Sequence, residues 1–174
     1  MKLKKNLVFL GMMGSGKTSI GFLVSKKLNL NFVDIDNEIE NEMGMKIKEI
    51  FEKKNENYFR QIEEKITLKN LKKNNSIISL GGGAFLNKNI KKEVLKNHLS
   101  FWLKWKSQTI INRIKKNDKR PIANKYSKNE LIELINKRSN TYSKALYKIY
   151  CEKLTKNEIA NKILKLYENH KANS

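Results

Sequence analysis

Cysteine, proline, arginine and acidic residues are all scarce in this chain of 174 residues, and each scarcity bears on what kind of protein it is. The one cysteine, Cys151, cannot form an internal disulfide, so the fold must rest on its own apolar core. A lone thiol also suits a reducing compartment, and a cytoplasmic protein is expected. The one proline, Pro121, rules out a proline-rich linker, and no internal repeat is visible. No apolar run approaches the length of a membrane span. Met1-Lys-Leu-Lys-Lys leads straight towards an apolar strand with no leader or cleavage site, so neither secretion nor a membrane partner is expected. Only 17 acidic residues face 37 basic ones, a formal charge of +20. Such a charge invites a nucleic-acid reading. The lysines, however, are spread along nearly every expected helix, and Asn and Ile are abundant beside them, as drift toward A/T-rich codons would produce. No specific nucleic-acid partner is expected, and a monomer of one domain spanning 1–174 fits the length.

The scarcity of arginine is the most informative. Of the 37 basic residues only Arg60, Arg113, Arg120 and Arg138 are arginines. Where a chain defaults so heavily to lysine, the exceptions are candidates for sites that need a planar bidentate fork. The plainer alternative is that these four are what compositional drift left behind.

What is present is organised around Asn6–Leu28, an apolar run that turns through glycines into an amphipathic helix. Gly11-Met-Met-Gly14-Ser15-Gly16-Lys17-Thr18 fits G-x-x-x-x-G-K-[ST], a loop whose backbone N–H groups curl around a phosphate. Lys17 can reach the β and γ phosphates, and the Thr18 hydroxyl is placed for Mg²⁺. The helix that follows, through Ser19, turns its positive end to the same anion. A glycine turn with an incidental Lys-Thr is the alternative, and the flanking strand and helix count against it.

Asn31–Asp36 reads as a second strand, with Asp34 and Asp36 on one face at the edge where ligands bind in open α/β sheets. Equally, Asp36 could cap the helix that follows. A short helix carries Ile47, Ile50 and Phe51, and a longer one runs from Tyr58 to Leu71 with Arg60 off its apolar stripe. The strand Ser76–Leu80 stops at Gly81-Gly82-Gly83, which permits another close backbone approach or forms a mere flexible turn. Ile90–Leu95 reads as a helix, Ser100–Trp105 as a fourth strand, and Ile110–Ile114 as a helix carrying Arg113. Lys115–Lys128 is polar, holds Pro121 and has no apolar period, so an exposed mobile lid is expected there. Helix Asn129–Tyr142, strand Tyr147–Cys151 and helix Glu158–Tyr167 complete the chain. Alternating strands and helices imply right-handed crossovers and a parallel sheet covered on both faces. The expected fold is a three-layer α/β/α P-loop domain with a five-stranded parallel sheet and a mobile lid.

These motifs, in this order, resemble the shikimate kinase family: GMMGSGKTS, FVDIDNEIE, Gly44 and IKEIF leading to YFRQIE, SLGGG, an Arg113 to Arg120-Pro121 lid, and Arg138-Ser-Asn-Thr-Tyr142. The resemblance covers nearly the whole chain to about Tyr142. It implies transfer of the γ-phosphoryl group of ATP to the 3-hydroxyl of shikimate, with Mg²⁺, in aromatic amino-acid biosynthesis. By position it gives the phosphates to Gly14, Ser15, Gly16, Lys17, Thr18 and Ser19, and Mg²⁺ to Thr18 and Asp34. Asp36 would meet the attacked hydroxyl, as base or as orienting group. Arg60, Arg138 and the backbone of Gly81, Gly82 and Gly83 would hold shikimate. Arg120 would reach the transferring phosphate from the lid, and Arg113 would stack on adenine. Phosphoryl transfer asks mainly for positioning and charge neutralisation, so this inventory suits the chemistry. Cys151–Asn157, CEKLTKN, departs from the family in lacking a proline at the adenine-contacting loop. A gluconate kinase would carry a similar P-loop, but the triple glycine and paired arginines fit a compact ring acid better.

Overall fold

In the computed structural model, which describes residues 6–116 and 126–173, five short strands form one parallel sheet. The strands are β1 (Leu7–Leu10), β2 (Asn31–Asp34), β3 (Ser76–Ser79), β4 (Leu99–Lys104) and β5 (Tyr147–Tyr150). Their order is β2-β3-β1-β4-β5, and every pairing is parallel. The chain therefore reverses its direction of winding at β1, and the crevice beyond the carboxyl ends of β1 and its neighbours is where such a sheet accepts ligands.

Strands buried on both faces should be largely apolar; β1 is so throughout, while β3 and β4 bury Ser76, Ser79 and Ser100 among apolar neighbours. Alternate residues feed two separate cores. Val8, Leu10, Ile78, Leu80 and Trp102 point to one side. Leu7, Phe9, Ile77, Phe101 and Ile149 point to the other, where Phe9 stacks on Phe101 at 5.6 Å. The second core is closed by α1 (Lys17–Leu28) and α8 (Lys156–Ala172), through Ile20, Val24, Ile159 and Ile163. The first is closed by α4 (Glu56–Leu71), α5 (Lys88–Asn97), α6 (Ser107–Lys115) and α7 (Lys128–Tyr142), with α2 (Ile35–Met43) and α3 (Ile47–Lys53) beside them. The three layers expected from the sequence are thus present.

Two boundaries change the reading of the site. The second strand ends at Asp34, not Asp36. The Asp34 carboxylate accepts from the N–H groups of Asp36 and Asn37, at 3.0 and 3.3 Å, and so caps α2. These two bonds satisfy donors that an extended chain would leave unpaired at the sheet edge, so the cap wins over two more residues of strand. Asp34 and Asp36 are therefore not strand neighbours on one face: the first is the cap and the second lies in the first helical turn. The expected lid begins at the last residue of α6 and ends at the first of α7. Its centre, with Arg120 and Pro121, lies outside the described residues.

Candidate active site

The P-loop leaves β1 at Leu10 and enters α1 at Lys17. Gly14 and Gly16 have φ of 77° and 86°, in the left-handed region where a Cβ is unfavourable. A turn bond from Ser15 N–H to the Met12 carbonyl at 3.1 Å closes the loop. Lys17, only 7% exposed, curls its ammonium back to donate to the carbonyls of Gly11 and Met12, both at 3.0 Å. The Ser15 hydroxyl is buried in the loop and has no hydrogen-bond partner among the described residues. A loop of this motif offers its backbone N–H groups to a phosphate. Ser19 sits exposed in the first turn of α1. Thr18 donates to the Asp34 carboxylate at 2.6 Å, joining the loop to the end of β2.

Across from the P-loop, the triple glycine is a hub rather than a flexible turn. A Cβ on Gly81 would lie 2.6 Å from Glu63 Oε1 and 2.8 Å from Asp36 Oδ1. On Gly82 it would lie 3.2 Å from the backbone nitrogen of Met13, in the P-loop, and 3.8 Å from Arg138 Nη1. On Gly83 it would meet Arg60 Nη1. Each glycine thus makes room for a different polar group, and their φ angles are not the reason for their identity. Arg138, 8% exposed, donates to the Gly82 carbonyl at 3.3 Å, while its Nε is buried without a partner among the described residues. Arg60 is half-buried and donates to Glu63 at 2.8 Å and to Glu56 at 3.0 and 3.2 Å. Two guanidinium groups therefore flank one glycine turn that abuts the phosphate loop. Such a pair can grip a carboxylate, because each guanidinium offers parallel N–H donors that match its two oxygens.

The comparisons with known proteins point the same way. A family model for shikimate kinase matches residues 13–168. A shikimate kinase of Thermodesulfovibrio yellowstonii is 42% identical over 165 residues, covering 94% of this chain and 95% of that protein. The chain belongs to the shikimate kinase family. It is also similar to the shikimate kinase of Bacillus subtilis, 38% identical over 92% of this chain and 88% of that one. Among solved structures, shikimate kinase from Aquifex aeolicus superposes with a TM-score of 0.85 at 32% identity, covering 95% of this chain and 97% of that one. The Acinetobacter baumannii enzyme in complex with shikimate superposes at 0.89 with 26% identity, over 98% and 96%. A gluconokinase from Sinorhizobium meliloti reaches 0.57 at 12% identity and shares the fold alone. This chain is an enzyme that phosphorylates shikimate at the expense of ATP.

Set against that activity, Lys17, Thr18, Asp34, Asp36, Arg60, Arg138 and the three glycines converge on one crevice. Arg113 stands at its rim, where its guanidinium stacks on Trp105, 3.7 Å from the ring centre, and Nη1 lies 3.4 Å from the Gly14 carbonyl. Arg120 lies outside the described residues.

Three residues packed against these groups in the shikimate kinase fold were not among the site residues expected from the sequence. Glu63 is 2% exposed, lies beside Asp36 and holds Arg60 in place. Burial pushes its carboxyl above the usual carboxylate range, with Arg60 pulling the other way and Asp36 adding to the rise. Burial opposes the charge on Arg60, but Glu63 and Glu56 outweigh it and hold the guanidinium above its ordinary value. The Arg60/Glu63 spacing of three on one helix was the available signal. Tyr142 donates its hydroxyl to the Gly82 carbonyl, and burial pushes its pKa up to about 12, so it stays a neutral donor. Trp105, the third, gave no signal beyond strand propensity.

Proposed function

We propose that the crevice works as follows. ATP lies along the P-loop, with its phosphates on the loop N–H groups and the α1 N-terminus, and Lys17 exchanges its two carbonyl partners for phosphate oxygens. Arg60 and Arg138 grip the shikimate carboxylate against Gly81, Gly82 and Gly83, which orients the ring with its 3-hydroxyl towards Asp36. The hydroxyl oxygen forms a bond to the γ-phosphorus as the bond to the ADP oxygen breaks. Asp36 orients the hydroxyl and takes up its proton. Arg113 stacks on adenine and Arg120 reaches the transferring group from the lid, where positive charge stabilises the transition state.

Thr18 and Asp34 would hold Mg²⁺, a hydroxyl and a carboxylate 2.6 Å apart being the hard oxygen donors that suit this ion. When bound, the ion neutralises charge on the β and γ phosphates. We place the enzyme in the cytoplasm as a monomer, acting on small molecules without a specific nucleic-acid partner.

The observation that carries this reading is the pair of guanidinium groups flanking a glycine turn that touches the P-loop backbone. The test is ADP release with shikimate against gluconate, with and without RNA, for the natural chain and for Asp36→Asn. Shikimate-dependent turnover that RNA leaves unchanged and that falls at least a hundredfold in the variant is expected. Full activity in Asp36→Asn would remove Asp36 from the proton path.

A further inference from the structure

Trp105 contacts both halves of the nucleotide site. It follows β4 directly, so the sheet fixes its backbone, and its partly buried ring packs against both apolar cores. Its indole N–H donates to the Ser15 carbonyl at 2.9 Å. Its face carries the Arg113 guanidinium at 3.7 Å, and Arg113 is exposed, so the other side of that guanidinium is turned outward.

The first contact bears on the phosphates. In a planar trans peptide the C=O and N–H point to opposite sides. Tying the Ser15 carbonyl to the indole therefore turns the Gly16 N–H away from Trp105, and it does so before any ligand arrives. A donor fixed in advance costs no ordering when the anion binds. The second contact bears on the base. An exposed arginine samples many rotamers, and stacking on an indole holds this one flat beside Gly14, whose added Cβ would sit 3.6 Å from Arg113 Cβ.

We propose that Trp105 is a positioning residue for ATP, presetting the Gly16 N–H for phosphate and presenting Arg113 as a flat platform, so that indole, guanidinium and adenine form one stack. This rests on the reading of Arg113 as the adenine contact.

The test separates the two contacts by substitution and by ligand. Trp105→Phe keeps the ring face and loses the N–H, whereas Trp105→Leu loses both. Inorganic tripolyphosphate, used as an inhibitor competitive with ATP, engages the phosphate loop but has no base. Trp105→Phe should raise KM for ATP and Ki for tripolyphosphate by the same factor, roughly 2- to 12-fold for one neutral hydrogen bond. Trp105→Leu should raise KM for ATP roughly 2- to 5-fold further, with no further change in Ki. In an Arg113→Ala background that extra factor should vanish, and KM for shikimate should hold throughout. The proposal is overturned if both Trp105 variants leave ATP and tripolyphosphate unaffected, or if KM for shikimate rises in step with KM for ATP. If Arg113→Ala itself leaves KM for ATP unchanged, the adenine reading fails alone, and the indole–Ser15 contact still stands or falls on tripolyphosphate.

Discussion

Adding one methyl group at Gly83 tests the carboxylate clamp without touching any charged residue. Gly83 has φ of −107°, which alanine adopts freely, so the backbone has no reason to resist. The new Cβ would lie 2.9 Å from Arg60 Cζ and 3.0 Å from its Nη2, with Nη1 closer still, against an ordinary contact of 3.4–4 Å. Arg60 must therefore withdraw by roughly 1 Å at the end of a flexible side chain, a displacement that costs little stability but spoils a bidentate contact. Losing one charge-assisted hydrogen bond to the shikimate carboxylate, worth about 1.5–3 kcal/mol, should raise KM for shikimate roughly 10- to 150-fold. The melting temperature should stay within about 3 °C, and KM for ATP should not move. Steady-state kinetics with each substrate varied in turn, together with a thermal melt, give all three readings. The neighbouring positions sharpen the comparison. Gly81→Ala intrudes on the Asp36 and Glu63 carboxylates and should lower kcat, whereas Gly82→Ala presses on the Met13 backbone and should disturb ATP as well. If Gly83→Ala leaves KM for shikimate within twofold of the natural enzyme, Arg60 does not hold the substrate.

Arg138→Lys should raise KM for shikimate by a similar factor, because an ammonium cannot reproduce the fork, while Lys137→Arg, on the exposed side of α7, should be silent in the same assay. Burial pushes the Cys151 thiol up to about 12, so iodoacetamide at pH 8 should label it only after denaturation, and rapid labelling of the native protein would contradict its burial. For Cys151 and Tyr142 the folded state holds the proton more tightly than the unfolded chain. Their contribution to stability is therefore full below pH 9 and declines as pH climbs towards 12, which denaturant melts across that range would register. RNA should bind weakly and dissociate between low and physiological salt, and the β5 edge, where Lys104 and Lys148 lie over Trp102 and the exposed Tyr150, is the surface whose chemistry suits that contact. Binding that persists at physiological salt would give the +20 charge a function.

The sequence alone determined whatever depends on neighbours along the chain. The P-loop is legible because its glycines, Lys17 and Thr18 act through one continuous turn, and the elements are legible because burial imprints its period on each segment. The scarcity of arginine singles out Arg60, Arg113, Arg120 and Arg138 from composition alone. Tertiary structure decided what depends on approach across the fold. Period two alone placed Asp34 and Asp36 together on a strand, but the N–H groups of Asp36 and Asn37 needed an acceptor at the sheet edge, and Asp34 turned to supply it. The triple glycine looked the same as hub or hinge until Glu63, Asp36, Arg138 and Arg60 were seen packed against it. Trp105 read as one more strand aromatic until folding brought it to Ser15 and Arg113. Composition and period report burial; which polar atoms meet is set by the packing of segments far apart in the chain, and no local pattern encodes it.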